Sequence, residues 1–294
     1  DNKGEYDQAL EYYYKVLAIQ AEQLGSDHLL VAQSFNRIGR AHHNKSEYDR
    51  ALELYKKALA IRLKNYDEDH PKLANSYRRI GLGHLRIGEY EQGLEYLRKS
   101  LAIRLKMHGE DHVEVANSYS NIGRGHLCKG EHDKALENYR EALDIWLYRR
   151  GPDFIEVANC YNDIGKVHSF KGEHPQALEN YHKALDIRLK KLGPENRLVA
   201  RSYSNIGKVQ DEKGEYDQAL ENYHKSLELD LKRLGPDLAQ EDALVARSYN
   251  DIGRVHDNKG DYDQALEFLL KALHIRRRKL GPDHPDVATS YNDI

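Results

Sequence analysis

Histidine is the first side chain in this sequence whose placement suggests chemistry. Sixteen occur in 294 residues, and His42, His84, His126, His168 and His256 share one register, with Gln210 in the remaining copy. A ladder of imidazoles suggests metal. Equivalent positions on neighbouring packed helices, however, lie about 10 Å apart, whereas a zinc ion holds its ligands within about 2.0–2.2 Å. His108 and His112 straddle Gly109 instead of sharing a helix face. The column therefore predicts packing and hydrogen bonding inside each repeat, with no metal or other cofactor.

Tyrosine, at 21 residues, forms two further columns: Tyr77, Tyr119, Tyr161, Tyr203, Tyr249 and Tyr291 in one, and Tyr13, Tyr55, Tyr139, Tyr181 and Tyr223 in the other. Rings at this spacing predict core filling, with each hydroxyl reaching water or a carbonyl. No Gly-x-Ser-x-Gly elbow, phosphate-cradling glycine loop or zinc-type Cys/His spacing occurs, so no enzyme is expected. Arg149-Arg150 and Arg276-Arg277-Arg278 are expected at helix C-termini, where positive charge complements the helix dipole.

Period sets the elements that must carry these residues. The motif Gly-Glu-Tyr-Asp-x-Ala-Leu opens at Gly4, and its counterparts open at Ser46, Gly88, Gly130, Gly172, Gly214 and Gly260; the spacing is 42 until the last step, where it is 46. A constant period of this length means one repeat array over residues 1–294, about seven units with the first and last incomplete. Apolar residues make up 39% and charged residues 32%, and mean hydropathy is −0.84. That balance suits a solenoid whose units touch only their neighbours. With 45 basic and 48 acidic residues the net charge is −3, so no basic excess points to nucleic acid. No apolar run reaches the roughly 18 residues of a membrane span, and no signal-peptide pattern opens the chain. Cys128 and Cys160 are no disulfide framework, and the expected location is the cytoplasm. Asn44-Lys45-Ser46 reads as a chance glycosylation match.

Within one unit, Val157, Ala158, Tyr161, Ile164, Gly165 and His168 recur at steps of three and four, and after Gly172 so do Ala177, Leu178, Tyr181, Ala184 and Leu185. Each unit is thus a pair of antiparallel helices, here A then B. B helices are predicted near 6–24, 48–65, 90–107, 132–149, 174–191, 216–233 and 262–279. A helices are predicted near 29–44, 71–86, 112–128, 155–170, 197–212, 243–258 and from 284 onward. A four-residue insertion near 237–242 is expected as a longer inter-unit loop. Gly39, Gly81, Gly123, Gly165, Gly207 and Gly253 recur inside helix A, where glycine costs about 1 kcal/mol against alanine. They predict a close crossing by helix B, at Ala51, Gly93, Ala135, Ala177, Ala219 and Ala265.

The order aromatic-x-x-Ile-Gly, then Gly-x-Tyr-x-x-Ala-Leu-x-x-Tyr-x-x-Ala-Leu, resembles the tetratricopeptide repeat over the whole chain. The 42-residue variant, with Leu280 to Ala288 reading as LGPDHPDVA, is similar to the repeats of kinesin light chain and nephrocystin-like proteins, and to arrays of high internal identity. The resemblance implies an all-α, right-handed α-solenoid whose A helices line a concave groove that holds extended acidic peptides. The positions it assigns to that groove are Arg40, Asn75, Asn117, Asn121, Arg124, Asn159, Lys166, Arg201, Asn205, Lys208, Arg247 and Arg254. An Asn amide serves a peptide backbone as donor and acceptor together, and Arg and Lys supply charge for carboxylates. Leu82, Asp163 and Asp251 depart from the pattern.

Two readings follow: a non-enzymatic scaffold for an extended, acidic peptide, or a structural array that stacks head to tail. The second rests on the ends. The chain starts with a B helix and stops at Asn292-Asp293-Ile294 inside an A helix, so joining end to Asp1-Asn2-Lys3-Gly4 rebuilds a repeat short of one Gly-Arg-Val-His segment. Leu10, Tyr13 and Leu17 are expected to expose one half-site, and Val287, Ala288, Tyr291 and Ile294 its complement. The absent initiator Met predicts a piece of a longer protein.

Overall fold

The computed structural model describes residues 2–294, with side chains from Tyr6 onward apart from Pro236. Asp1, part of the end-to-start junction above, lies outside the described residues. Among those described, every regular element is a helix. Two compact units divide the chain, Asp1–Arg149 and Arg150–Ile294. The first holds α1 (Asn2–Leu24), α2 (Leu29–Asn44), α3 (Tyr48–Asn65), α4 (Pro71–Arg86), α5 (Tyr90–His108), α6 (Val113–Lys129) and α7 (His132–Arg150), which ends at the division. The second holds α8 (Ile155–Phe170), α9 (His174–Leu192), α10 (Arg197–Glu212), α11 (Tyr216–Ala239), α12 (Ala243–Lys259), α13 (Tyr262–Leu280) and α14 (Pro285–Asn292). Even-numbered helices are A and odd-numbered ones B. Each unit is an α-solenoid of antiparallel helix pairs.

Glycine in helix A marks where two backbones nearly touch. A Cβ on Gly39, Gly165, Gly207 or Gly253 would lie 3.1–3.2 Å from the carbonyl oxygen of Ala51, Ala177, Ala219 or Ala265 on the B helix of the same pair. At the third pair both residues are glycine, and a Cβ on Gly81 would come within 2.8 Å of the Gly93 carbonyl oxygen. The intrinsic cost of glycine is offset because any side chain here would push the pair apart. The leucine column of helix B turns the other way, onto the next A helix. Cβ atoms on Gly83 and Gly125 would meet Leu52 Cδ2 at 2.7 Å and Leu94 Cδ2 at 2.6 Å. The B helices α3, α5, α9, α11 and α13 are therefore each shared between two A helices.

Histidine supplies much of the polar closure. Its Nδ1 sits beside a carboxylate oxygen across the A–B turn at 2.6 Å for His42–Glu47 and 2.5 Å for His84–Glu89, His126–Glu131 and His168–Glu173. In the last such turn the shorter Asp261 stands 3.5 Å from His256. Where Gln210 replaces histidine, it bonds Gln218 at 3.0 Å and Asn222 at 2.8 Å. A second set, His28, His70, His112 and His284, caps the A helices by accepting from the backbone N–H two residues on. Caps of this kind satisfy donors that the first helical turn cannot. No cluster able to hold a metal occurs among the described residues.

Cations at the B C-termini have specific partners beyond the helix dipole. Lys64 reaches back to Asp27, Lys190 to Asp153 and Lys232 to Glu195, each at 2.5–2.6 Å, and Lys106 pairs with Asp69. Arg149 donates to the Asp111 carbonyl at 2.7 Å, and Arg278 to Glu241 at 3.0 Å. These contacts tie the linkers between helix pairs to the following B helix. The insertion departs from its sequence expectation. α11 breaks at Gly235, where φ is 73° and ψ 169°, then resumes helical geometry to Ala239. Ala239 is buried with Val245, Ala246 and Ile275. An apolar residue in the added segment makes it a further turn of packed helix, where the sequence reading expected an open loop.

Candidate peptide-binding surface

The exposed face of the A helices rests on a layer of arginine, buried at Arg104 and Arg188 and half-buried at Arg62 and Arg276. Arg188 on α9 is 1% exposed. It donates to Ser202 Oγ at 2.7 Å on the next A helix, and to Asn159 Oδ1 at 3.1 Å and Asn162 Oδ1 at 3.3 Å on its own pair's A helix. Arg104 repeats the arrangement, donating to Ser118 Oγ at 2.8 Å and Asn75 Oδ1 at 3.3 Å. Arg62 donates to Ser76 Oγ at 2.6 Å, and Arg276 to Ser290 Oγ at 2.5 Å. Burial pulls Arg188 down to about 10, still charged at neutral pH. A guanidinium has no acceptor, so it dictates how the amides turn: Asn75 and Asn159 point Oδ1 inward and leave their NH2 groups for the surface. Trp146 and Asp230 occupy the same register in α7 and α11. Asp230 is buried and accepts from Arg233 at 3.0 Å, and the residue standing where Asn75 and Asn159 stand is Arg201.

Two clefts of unlike character lie on this face. The first unit has one of about 670 Å³ lined by Arg37, Arg40, Arg62, Lys72 and Arg79, with Gln33, Asn36, Tyr66 and Asn75. The second unit has one of about 520 Å³ lined by Lys166, Phe170, Arg197, Arg201, Asn205, Lys208, Asp230 and Arg247, among others. Phe170 is 54% exposed there, with the Lys166 and Lys208 ammonium groups each 5.7 Å from its ring centre. Lys208 also pairs with Glu212, and Arg247 with Asp251, both at 3.6 Å. Burial pushes the Asp251 carboxyl up, against the pull of Arg247 and Arg254. A further cleft beside α12 is lined by Arg247, Arg254, Arg276 and Lys279, with Asp286 and Asp293.

The groove residues expected from sequence sort onto these surfaces unevenly. Arg40 and Asn75 fall in the first cleft; Lys166, Arg201, Asn205, Lys208 and Arg247 fall in the second; Arg254 lies beside α12. Asn117, Arg124 and Asn159 are exposed and Asn121 is half-buried, but none of the four lines a described cleft. Asn205 donates to Asn162 at 2.9 Å. Sequence reasoning passed over Arg62, Lys72 and Phe170. The pairing of each B-helix Arg with a Ser fourteen residues on was the signal available for Arg62.

The end faces also need correction. Leu10 is buried with Ile38, Ala41 and Leu54, and Tyr13 and Leu17 pack against that cluster. Val287 is fully buried as well. The cause is the sharing of B helices: the leucine stripe belongs to the A helix that follows. Exposed on α1 instead are Tyr12, Val16 and Ile19, whose counterparts Leu54, Ala58 and Ile61 on α3 are buried. Ala288, Tyr291 and Ile294 are exposed.

No described helix is long and apolar enough to cross a membrane. Family models of the tetratricopeptide repeat match residues 2–64, 44–106, 72–147 and 156–232, and a second model of the same description matches 245–286. A search of curated sequences finds no match. Among solved structures, BtubC (BKLC) from P. vanneervenii superposes with a TM-score of 0.64 at 20% identity, over 82% of this chain and 92% of that one. A Podosopora anserina kinesin light chain protein of nearly identical TPR-like repeats gives 0.60 at 18% identity, over 71% and 97%. Aspartyl phosphate phosphatase F from Bacillus subtilis gives 0.62 at 16%, over 89% and 74%. At these identities the likeness is one of fold. The repeat matches cover most of the sequence, and the glycine crossings, shared B helices and turn closures recur from pair to pair; this chain belongs to the tetratricopeptide repeat family, whose helical fold is typically a non-enzymatic scaffold for protein–protein interaction.

Proposed function

We propose that this chain binds an extended, acidic peptide segment along its A-helix surface, as a cytoplasmic scaffold that catalyses no reaction. The observation that carries the reading is the buried arginine layer. By engaging Asn75 and Asn159 through Oδ1, it presents amide donors in a set orientation beside exposed Arg40, Arg124, Lys166 and Lys208. Fixed donors accept a peptide's carbonyls at little entropic cost, and the cations add carboxylate recognition. Binding of an Asp/Glu-rich peptide, followed by fluorescence anisotropy, should weaken steeply with salt because exposed charges are screened. Replacing Arg124, Lys166 and Lys208 by Glu should abolish it with helicity unchanged. Equal affinity in wild type and variant would sink the reading.

A second reading, head-to-tail stacking of this chain on another copy, draws support from the exposed apolar residues Tyr12, Val16 and Ile19 on α1 and Tyr291 and Ile294 at the other end. Those two faces differ, so stacking would be heterologous and open-ended. Sedimentation should then show concentration-dependent oligomers that Val16→Lys and Ile19→Lys dissolve. A strict monomer at high concentration would remove this reading.

A further inference from the structure

The cleft of the first unit carries a charge that peptide carboxylates alone do not match. Five cations line it, Arg37, Arg40, Arg62, Lys72 and Arg79, and no carboxylate does. None of the five has an ion-pair partner among the described residues. Composition does not force this, since the chain holds more acids than bases, and lysines elsewhere are paired with acids one helical turn away. Arg62 is also held in place. Arg62 donates to Ser76 Oγ at 2.6 Å, which leaves its other N–H groups unspent. Burial, opposed by Tyr66 and reinforced by the charge of Arg79, keeps Arg62 below the usual arginine range. Burial followed by the charges of Arg79 and Arg104 does the same to Arg78. Like charges that line one cleft oppose one another, and a compact multivalent anion between them turns that repulsion into attraction.

We propose that this cleft takes a phosphoryl group carried on a peptide side chain, most simply a phosphoserine. The carrier, a peptide lying on the A-helix surface, rests on the function proposed above; the phosphoryl specificity does not. A carboxylate brings one charge and two acceptor atoms, whereas a phosphoryl group brings about two charges and three acceptor oxygens. Forked guanidiniums such as Arg37, Arg40 and Arg79 match those oxygens two at a time. The Asn75 amide, turned by Arg104, adds a neutral donor at the same wall. A volume of about 670 Å³ accommodates a phosphorylated side chain with its flanking backbone. Nucleic acid is the less suited carrier. Single strands need aromatic faces on which bases stack, and the one aromatic residue lining the cleft, Tyr66, already has a face covered by His70, their ring centres 3.8 Å apart.

The test compares short, otherwise neutral peptides that carry phosphoserine, serine or aspartate at one central position, titrated into the full chain. An Asp/Glu-rich peptide without phosphate and a single-stranded oligouridylate run in parallel. The phosphoserine peptide should bind about tenfold or more tighter than the serine and aspartate forms. Arg37→Gln with Arg40→Gln, both at exposed positions, should erase that preference while the circular dichroism spectrum and melting curve stay unchanged. Lys166→Gln with Lys208→Gln should leave the preference intact. Arg79→Lys, which keeps the charge but loses the fork, should weaken the phosphoserine peptide more than the Asp/Glu-rich one. If the Asp/Glu-rich peptide binds and phosphorylation adds nothing, the phosphoryl assignment fails while the peptide-groove reading stands. If only the phosphoserine peptide binds, the assignment stands and the acidic-peptide reading fails. Tighter binding of the oligouridylate than of the phosphoserine peptide would overturn the assignment in favour of nucleic acid.

Discussion

The clefts of the two units are built from one repeat and have opposite electrostatic habits. In the first, Arg62 sits at the buried register and every lining charge is positive. In the second, that register holds Asp230, buried, and two of the surrounding cations are engaged by Glu212 and Asp251. Near-identical helices thus present an unneutralised cationic wall in one place and a mixed surface around an exposed phenylalanine in another. A handful of side chains at fixed register positions sets the recognition chemistry, and the scaffold does not change. The difference also fixes what each cleft suits: concentrated negative charge in the first, and a ligand with an apolar group beside its acids in the second.

The sharpest way to break this comparison is to remove the buried arginine. Arg188→Met removes the one guanidinium from which Asn159, Asn162 and Ser202 all accept, and should cost about 3 kcal/mol in urea denaturation of the full chain. Arg62→Met removes a single such bond, the one to Ser76, and should cost about 1 kcal/mol. Equal losses would mean that the arginine layer does not organise the surface as described.

A smaller effect concerns affinity for an Asp/Glu-rich peptide. Arg37→Gln with Arg40→Gln should lower it about tenfold, because those cations have no internal partner. Lys166→Gln with Lys208→Gln should lower it only about threefold, since Lys208 is already shared with Glu212. Isothermal titration at one fixed salt concentration reads both, and the reverse order would invert the assignment of the two clefts.

Backbone conformation gives the next contrast. Ser46 stands at φ 63° where other turns have glycine, such as Gly172 at φ 72°. Ser46→Gly should therefore stabilise the chain by about 1 kcal/mol, and Gly172→Ala should destabilise it by a similar amount. Thermal melts of the two single variants moving in the same direction would contradict this.

The smallest expected effect is on the acid side. Glu47 is held down to about 2, chiefly by its hydrogen bond to His42, and Glu131 to about 2 by Lys129 and then His126. Carboxyls depressed in the folded state stabilise it above their ordinary value near 4.5, and that contribution disappears as pH falls from there toward about 2. The melting temperature should decline over this window, less steeply in Glu47→Gln. A Glu47→Gln slope identical to wild type would show that this turn contributes nothing to acid sensitivity.

Most of the fold was legible in the residues, because each repeat states its instructions separately and repeats them. Glycine inside helix A, alanine facing it on helix B, and Gly-Pro or Asp-His-Pro between pairs placed the helices within a few residues of where they lie. The insertion was misread because one buried alanine, Ala239, carries little sequence signal and gains meaning only from Val245 and Ile275 beside it. The histidine column was readable as an internal hydrogen-bonding residue, since ligands on successive repeats are too far apart to share a metal; its carboxylate partner five residues on was not named.

Local rules thus determined the period, the helix pairs and the positions left to solvent, since capping, helical spacing and glycine's tolerance act within a few residues. Tertiary structure decided which polar groups share a cavity. The sequence offers Arg62 as one of several Arg residues in similar surroundings, and nothing in it says that Arg37, Arg40 and Arg79 converge there without a carboxylate. It equally left open which A helix receives the stripe of Leu10, Tyr13 and Leu17. Both outcomes depend on side chains 14 to 42 residues apart meeting across packed helices. Burial and charge are summed over that meeting, and no local segment contains the sum.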